Sequence, residues 1–156
     1  MKISAGILLF KKEKDSLYYF LIHPGGPFWK NKDLGAWSIP KGEVFPDEDL
    51  LERALKEFKE ETGKTIGGKF IELSPIKQKG GKTVYAWALE DDLETADLYS
   101  NTFPLEWPPK SGKILEVPEV DQWEWFSSEE AQKRINTAQK DFITELESII
   151  KKSITP

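Results

Sequence analysis

Three glutamates, Glu57, Glu60 and Glu61, crowd the second half of the run from Gly42 to Gly63, GEVFPDEDLLERALKEFKEETG. On a helix stepping 100° per residue, with Glu57 at zero, Glu60 falls at about 300° and Glu61 at about 40°, so the three carboxylates share one third of the circumference. Leu51, Ala54, Leu55 and Phe58 fall between about 60° and 160° and predict a buried stripe, with Thr62 among them. Lys56, Lys59 and Glu52 point the opposite way, toward water. The three acids therefore border the core. Like charges at these spacings repel by a few tenths of a kcal/mol even when exposed, and by more near low dielectric. A divalent cation removes the conflict, and oxygen ligands clustered in this way suit a hard ion such as Mg²⁺, which keeps several waters and shares its coordination with phosphates. The competing reading is a charged helix edge softened by Arg53, four residues before Glu57 and placed to pair with it.

The flanking residues predict how such a helix is held. Its start is expected near Asp47, with Pro46 or Asp47 in the first turn, Glu48 and Asp49 at the positive end of the helix dipole, and Gly63 as the stop. Before it stands WSIPKGE. Pro40 and Gly42 punctuate a tight turn there, Lys41 is placed to bring an ammonium to phosphates held over the acids, and Gly42 lets its carbonyl approach a metal. Ile3 to Phe10 reads as a buried central strand, KKEKDS as its turn, and Leu17 to His23 as a second, antiparallel strand.

The loop PGGPFWKNKDLGA carries Phe28 and Trp29, and Trp29 is expected to plug the end of the sheet in preference to lining a pocket. His23 reads first as a hydrogen-bonded strand-end residue and second as a ligand contact. Trp37, just before the turn, is a candidate substrate contact. The runs KFIELSPIKQK and KTVYAWAL, separated by Gly80 and Gly81, predict a long hairpin whose core face the alternation does not decide.

Residues 90–118 form a long connection without a strong pattern, and such segments tend to be functional or mobile. Among its acids Glu106 is the preferred extra metal ligand, because Leu105 and Trp107 flank it and would hold it inward. Trp107 and Lys110 are candidates to meet a base and a phosphate. VDQWEWF alternates as a strand, Ser127 to Glu130 fits a capping box, and Phe142, Ile143, Leu146, Ile149 and Ile150 recur at helical spacing in a last helix over about 140–151.

Composition excludes several classes. The 156 residues suit one domain, 1–156, with 38% hydrophobic and 31% charged residues and no stretch approaching the roughly 20 apolar residues of a membrane span. Nothing after Met1 resembles a cleavable leader, so a cytoplasmic location is expected. The chain has no cysteine, which removes disulfides, thiol catalysis and thiolate metal sites, and one histidine builds no zinc cluster. A net charge of −5 argues against non-specific nucleic-acid binding.

The run from Gly42 onward resembles the Nudix box, G-x5-E-x7-R-E-U-x-E-E-x-G-U with U aliphatic. Gly42, Glu48, Glu57, Glu60, Glu61 and Gly63 stand at the required spacings, and Phe58 takes the first U position. Two positions depart from it. Lys56 stands in place of the arginine and loses the planar fork that holds two carboxylates, while Lys64 stands in place of the second aliphatic residue, with Ile66 close behind. HPGGPFW, GAWSIPKGE, FPLEWPPKSGK and PEVDQWEWF look like a bacterial branch described as predicted NTP pyrophosphohydrolases, which is similar to the dinucleoside polyphosphate hydrolases.

The resemblance implies an α/β fold of the Nudix type, an α/β/α sandwich in which a mixed sheet is flanked by the box helix and a C-terminal helix. It implies hydrolysis of a diphosphate linkage in a nucleoside triphosphate or dinucleoside polyphosphate, with Mg²⁺ as cofactor and Mn²⁺ as the alternative ion. Glu57 and Glu61 would be the principal ligands, Glu60 a further ligand or the base, and the Gly42 carbonyl another ligand; Glu60 and Glu57 are the catalytic candidates. Lys41, Trp37, His23 and Trp107 are the candidates for binding a nucleotide substrate, in a monomer or homodimer with no membrane partner. The alternatives are an ADP-ribose or nucleotide-sugar hydrolase, a Nudix module that binds a nucleotide without cleaving it, and an acidic scaffold protein with no small ligand.

Overall fold

The structure, a computed structural model, describes residues 2–154. Its centre is β1 (Ile3–Glu13), buried without interruption from Ser4 to Phe10. A strand buried on both faces reads as a continuous apolar run, which is why ISAGILLF shows no alternation. One edge of β1 pairs in parallel with β6 (Thr83–Glu90), from Ile3 opposite Thr83 to Phe10 opposite Glu90. The other edge is shared: β2 (Ser16–Pro24) pairs antiparallel with the end of β1, and β3 (Lys41–Glu43) pairs antiparallel with its beginning. The lead-in to the acidic helix is thus anchored on the central strand. The short strands β4 (Ile71–Glu72) and β5 (Ile76–Lys77) pair with β6, and β9 (Val120–Ser127) with β2, completing a seven-stranded mixed sheet.

Helices cover both faces. On one, Ala54 and Phe58 of α1 (Leu50–Thr62) pack on Ala5, Ile7 and Leu9 of β1 and Phe20 and Ile22 of β2. On the other, Phe142, Ile143 and Leu146 of α3 (Lys140–Ile154), with Ala131 of α2 (Ser128–Arg134), pack on Leu8, Phe10, Tyr19 and Leu21. The α/β/α sandwich is therefore present. The alternation of β6 resolves with it: Val84, Ala86 and Ala88 face α3, whereas Trp87 and Leu89 face α1. Among the described residues no helix is long and apolar enough to cross a membrane.

Four boundaries differ from expectation. The turn between β1 and β2 is only Lys14 and Asp15, because pairing continues to Glu13 opposite Ser16. The box helix opens at Asp49, whose carboxylate caps the Glu52 N–H at 2.9 Å, because Asp47 is turned into a left-handed conformation at φ 73°. The first arm of the Gly80–Gly81 hairpin is broken into β4 and β5 by Ser74 and Pro75. The long connection contains a separate hairpin, β7 (Thr102–Glu106) and β8 (Ile114–Pro118), whose prolines and exposed positions blurred its alternation. Ser127 does cap α2 through the Glu130 N–H, while the Glu130 carboxylate pairs with Arg134.

Candidate metal centre

The acidic end of α1 is fixed by backbone contacts on three sides. Gly42 lies so close to the helix that a Cβ there would sit 2.0 Å from the Glu57 carboxyl carbon, so only glycine lets β3 and Glu57 share the space. The Lys41 N–H donates to Glu61 Oε1 at 3.0 Å, tying the turn to the helix. At the helix end Gly63 takes φ 81° and returns its N–H to the Lys59 carbonyl at 2.7 Å.

Glu57 and Glu60 converge with Glu119, which lies between β8 and β9, so that one carboxylate oxygen from each lies within 4.8 Å of the others. All three side chains are partly buried. Burial, reinforced by the charges of Glu60 and Glu119 and opposed by Arg53, pushes the Glu57 carboxyl up to about 7. Burial and the Glu57 charge push Glu61 well above the usual carboxylate range, against the Lys41 N–H and ammonium. Glu119 is raised by burial and by Glu60. Lys41 is lowered by burial and by Lys82, with Glu61 and Glu57 pulling the other way. Hard oxygen donors at this separation, mutually repelling and half withdrawn from water, fit a divalent cation.

Arg53 explains how the box tolerates Lys56. Its guanidinium reaches Glu48 at 3.2 Å and Glu57 at 3.3 Å, bridging two box glutamates, while Lys56 is exposed. Glu48 also accepts the Phe45 N–H at 2.8 Å and thereby shapes the turn before the helix. Arg53 and the cluster thus coexist: the guanidinium offsets part of the charge on Glu57 and leaves Glu60 and Glu119 facing it.

Other expected contacts lie elsewhere. Glu106, expected as the extra acid, does not join this group: it is exposed on β7 and accepts the Lys110 N–H at 3.0 Å, closing the hairpin turn. The carboxylate that joins the helix acids is Glu119, one residue outside the alternating strand and masked there as an ordinary strand-flanking charge. Trp37 is buried among the residues beneath α3, edge-on to Phe126, with its indole N–H on Asp33 at 2.8 Å. It belongs to the layer opposite the acids, which removes it from their cleft. His23 is buried beside it, with Nδ1 2.7 Å from Asp121 and Nε2 2.6 Å from the Lys32 carbonyl, so both ring nitrogens already have partners. Both line a cavity of about 280 Å³ with Asp33, Gln122 and Arg134. Trp107 is half exposed just beyond β7, and Trp29 is half-buried against Phe28 in the loop after β2.

The NUDIX domain model matches residues 1–146. A comparison with curated proteins gave no match. Among solved structures, a C. elegans Ap4A hydrolase binary complex superposes with a TM-score of 0.62 at 19% identity, covering 97% of this chain and 98% of that one. The NUDIX domain of Shewanella oneidensis NrtR complexed with ADP ribose superposes at 0.63 and 14% identity, covering 95% and 87%. The MutT protein of Methanosarcina mazei gives 0.60 at 24% identity, covering 96% and 95%. These likenesses agree in fold over nearly the whole chain, and with the family model matched over residues 1–146 the chain belongs to the NUDIX domain family.

Proposed function

We propose that the chain is a Mg²⁺-dependent pyrophosphohydrolase that cleaves a diphosphate linkage in a nucleoside triphosphate or dinucleoside polyphosphate. The observation that carries the reading is the convergence of Glu57, Glu60 and Glu119 within 4.8 Å at the end of the box helix. These three carboxylates would hold the ion, with Glu61 and the Gly42 carbonyl beside them on the same turn and helix. When bound, a divalent ion supplies charge neutralisation at the phosphoryl oxygens and activates water as a nucleophile. A carboxylate of the group takes the proton of the attacking water. Lys41, held against the helix through its own N–H, presents an ammonium to the phosphates and to the charge that develops on the leaving oxygen. Arg53 keeps Glu57 oriented through its 3.3 Å ion pair.

The dinucleoside polyphosphate branch is supported by the fold shared with an Ap4A hydrolase, and ADP-ribose is the competing substrate because a NUDIX domain of the same fold is complexed with it. The test is product release with Mg²⁺ over a panel of nucleoside triphosphates, diadenosine tetraphosphate and ADP-ribose, run beside Glu57→Gln. Turnover of a triphosphate or of diadenosine tetraphosphate, lost in the variant, supports the proposal. Preferential turnover of ADP-ribose replaces the substrate class. No turnover on any of them, with nucleotides still raising the melting temperature, moves the reading to a binding module.

A further inference from the structure

The last carbonyls of a helix have no partners within it and must find them elsewhere. In α1 those of Glu60, Glu61 and Thr62 find them on two outside segments, and each segment also leads to Glu119. The Asn101 N–H donates to the Glu60 carbonyl at 2.8 Å, and the Asn101 carbonyl accepts the Glu119 N–H at 2.9 Å. One residue therefore joins the backbones of two members of the carboxylate cluster. The Tyr99 N–H donates to the Thr62 carbonyl at 3.1 Å, and the Trp123 indole N–H, from β9, donates to the Glu61 carbonyl at 2.7 Å.

Ser100 fastens this strap to β9. Its hydroxyl oxygen accepts the Val120 N–H at 3.1 Å. Its single hydrogen has two acceptors in reach, the Asn101 carbonyl at 2.9 Å and the Val120 carbonyl at 3.2 Å. Leu98 buries its side chain in the layer beneath α1, and the Tyr99 ring occupies the space beside Gly63, where a Cβ would meet it at 2.5 Å. The strap is thus gripped at both ends, by the helix and by the strand.

We propose that residues 98–101 form a positioning strap, with Ser100 as its fastening, that holds Glu119 against Glu57 and Glu60 and so sets the affinity of the cluster for a divalent cation. Ser100 acts through the Val120 backbone and touches neither ion nor substrate. A one-residue shift of Glu119 along its backbone would carry its carboxylate out of the cluster, and the strap's hydrogen bonds oppose that shift. The inference rests on the reading of Glu57, Glu60 and Glu119 as the cation site.

The test is Mn²⁺ binding to the folded, metal-stripped protein, followed by the paramagnetic resonance of free Mn²⁺, with the melting temperature of each variant recorded beside it. Ser100→Ala is expected to weaken binding about tenfold, the range in which residues that orient ligands act, while Ser100→Thr restores it. Ser100→Cys, which keeps the volume and loses most of the hydrogen bonding, carries the same expectation as Ser100→Ala should the alanine variant fail to fold. Ser74→Ala, which removes a hydroxyl bond to Glu145 at 2.9 Å on the α3 side, lowers the melting temperature and leaves Mn²⁺ binding unchanged. A Ser100→Ala protein that melts earlier yet binds Mn²⁺ as the wild type does would reduce the strap to a helix cap and overturn the inference. A wild-type protein that binds no Mn²⁺ would overturn the cation site itself, and the strap's role with it.

Discussion

The two faces of the sheet each hold a glutamate beside the core, and the two are treated in opposite ways. Under α3, Glu147 receives the hydroxyls of Tyr19, at 2.7 Å, and Ser128, at 2.5 Å. Nearby, Gln139 is fully buried and accepts the Ile39 N–H while donating to Ser38 and Gln78. Each of these side chains has a protein partner of the right kind, as a structural layer requires. Under α1, Glu57 meets two further carboxylates and a single guanidinium. Polar burial alone does not mark a functional site; burial among like charges does, because the fold has left the conflict for something else to resolve.

The comparison is broken or sharpened by exchange of charge on each face. The largest effect is expected from Glu57→Gln, which removes a ligand and should lower kcat by about 10³-fold, whereas Glu147→Gln should lower the melting temperature and leave kcat essentially unchanged. Equal damage to turnover by both would show that the faces are not divided as described. Next comes Gly42→Ala, whose new methyl collides with the Glu57 carboxyl group; a loss of about 1 to 3 kcal/mol in denaturant unfolding, together with weakened cation binding, is expected.

A pH titration of stability reads the same conflict without mutation. The folded-state value of Glu57, about 7, lies above its ordinary 4.5, so the folded protein keeps a proton that the unfolded chain releases. The contribution of this group is favourable at low pH and is lost as the pH rises from about 4.5 through 7. In EDTA the melting temperature should therefore fall across that window, and saturating Mg²⁺ should flatten the slope. The smallest effect is expected from Tyr19→Phe, which removes one satisfied hydrogen bond to Glu147 at a cost of about 1 kcal/mol and leaves turnover alone.

Much of this was legible in the chain because it is written in local patterns. The apolar run of β1, the stripe of α1, Gly63 as a stop and the Ser127 cap are each decided within a few residues, and the structure follows them. The spacing of the box predicted three glutamates on one helix, and its distinctive glycine is explained by the approach of Gly42 to Glu57. What the chain did not disclose is set by contacts distant in sequence. Glu119 joins Glu60 across 59 positions, through a strap whose residues carry no periodicity, while Glu106 was favoured on flanking apolar residues that in fact belong to an exposed hairpin. The same holds for Trp37, whose burial under α3 depends on how a loop crosses the sheet. Arg53 lay within helical reach of Glu57 in the sequence, yet its second bond, to Glu48, depends on the turn at Asp47.

The most direct test of the central claim sets Glu119→Gln against Glu106→Gln, with product release from the best substrate of the panel followed over a range of Mg²⁺ concentrations. The account predicts that Glu119→Gln needs at least about tenfold more Mg²⁺ for half-maximal rate while Glu106→Gln follows the wild-type curve. The reverse pattern, or identical curves for all three proteins, would contradict the assignment of Glu57, Glu60 and Glu119 as the site that holds the ion.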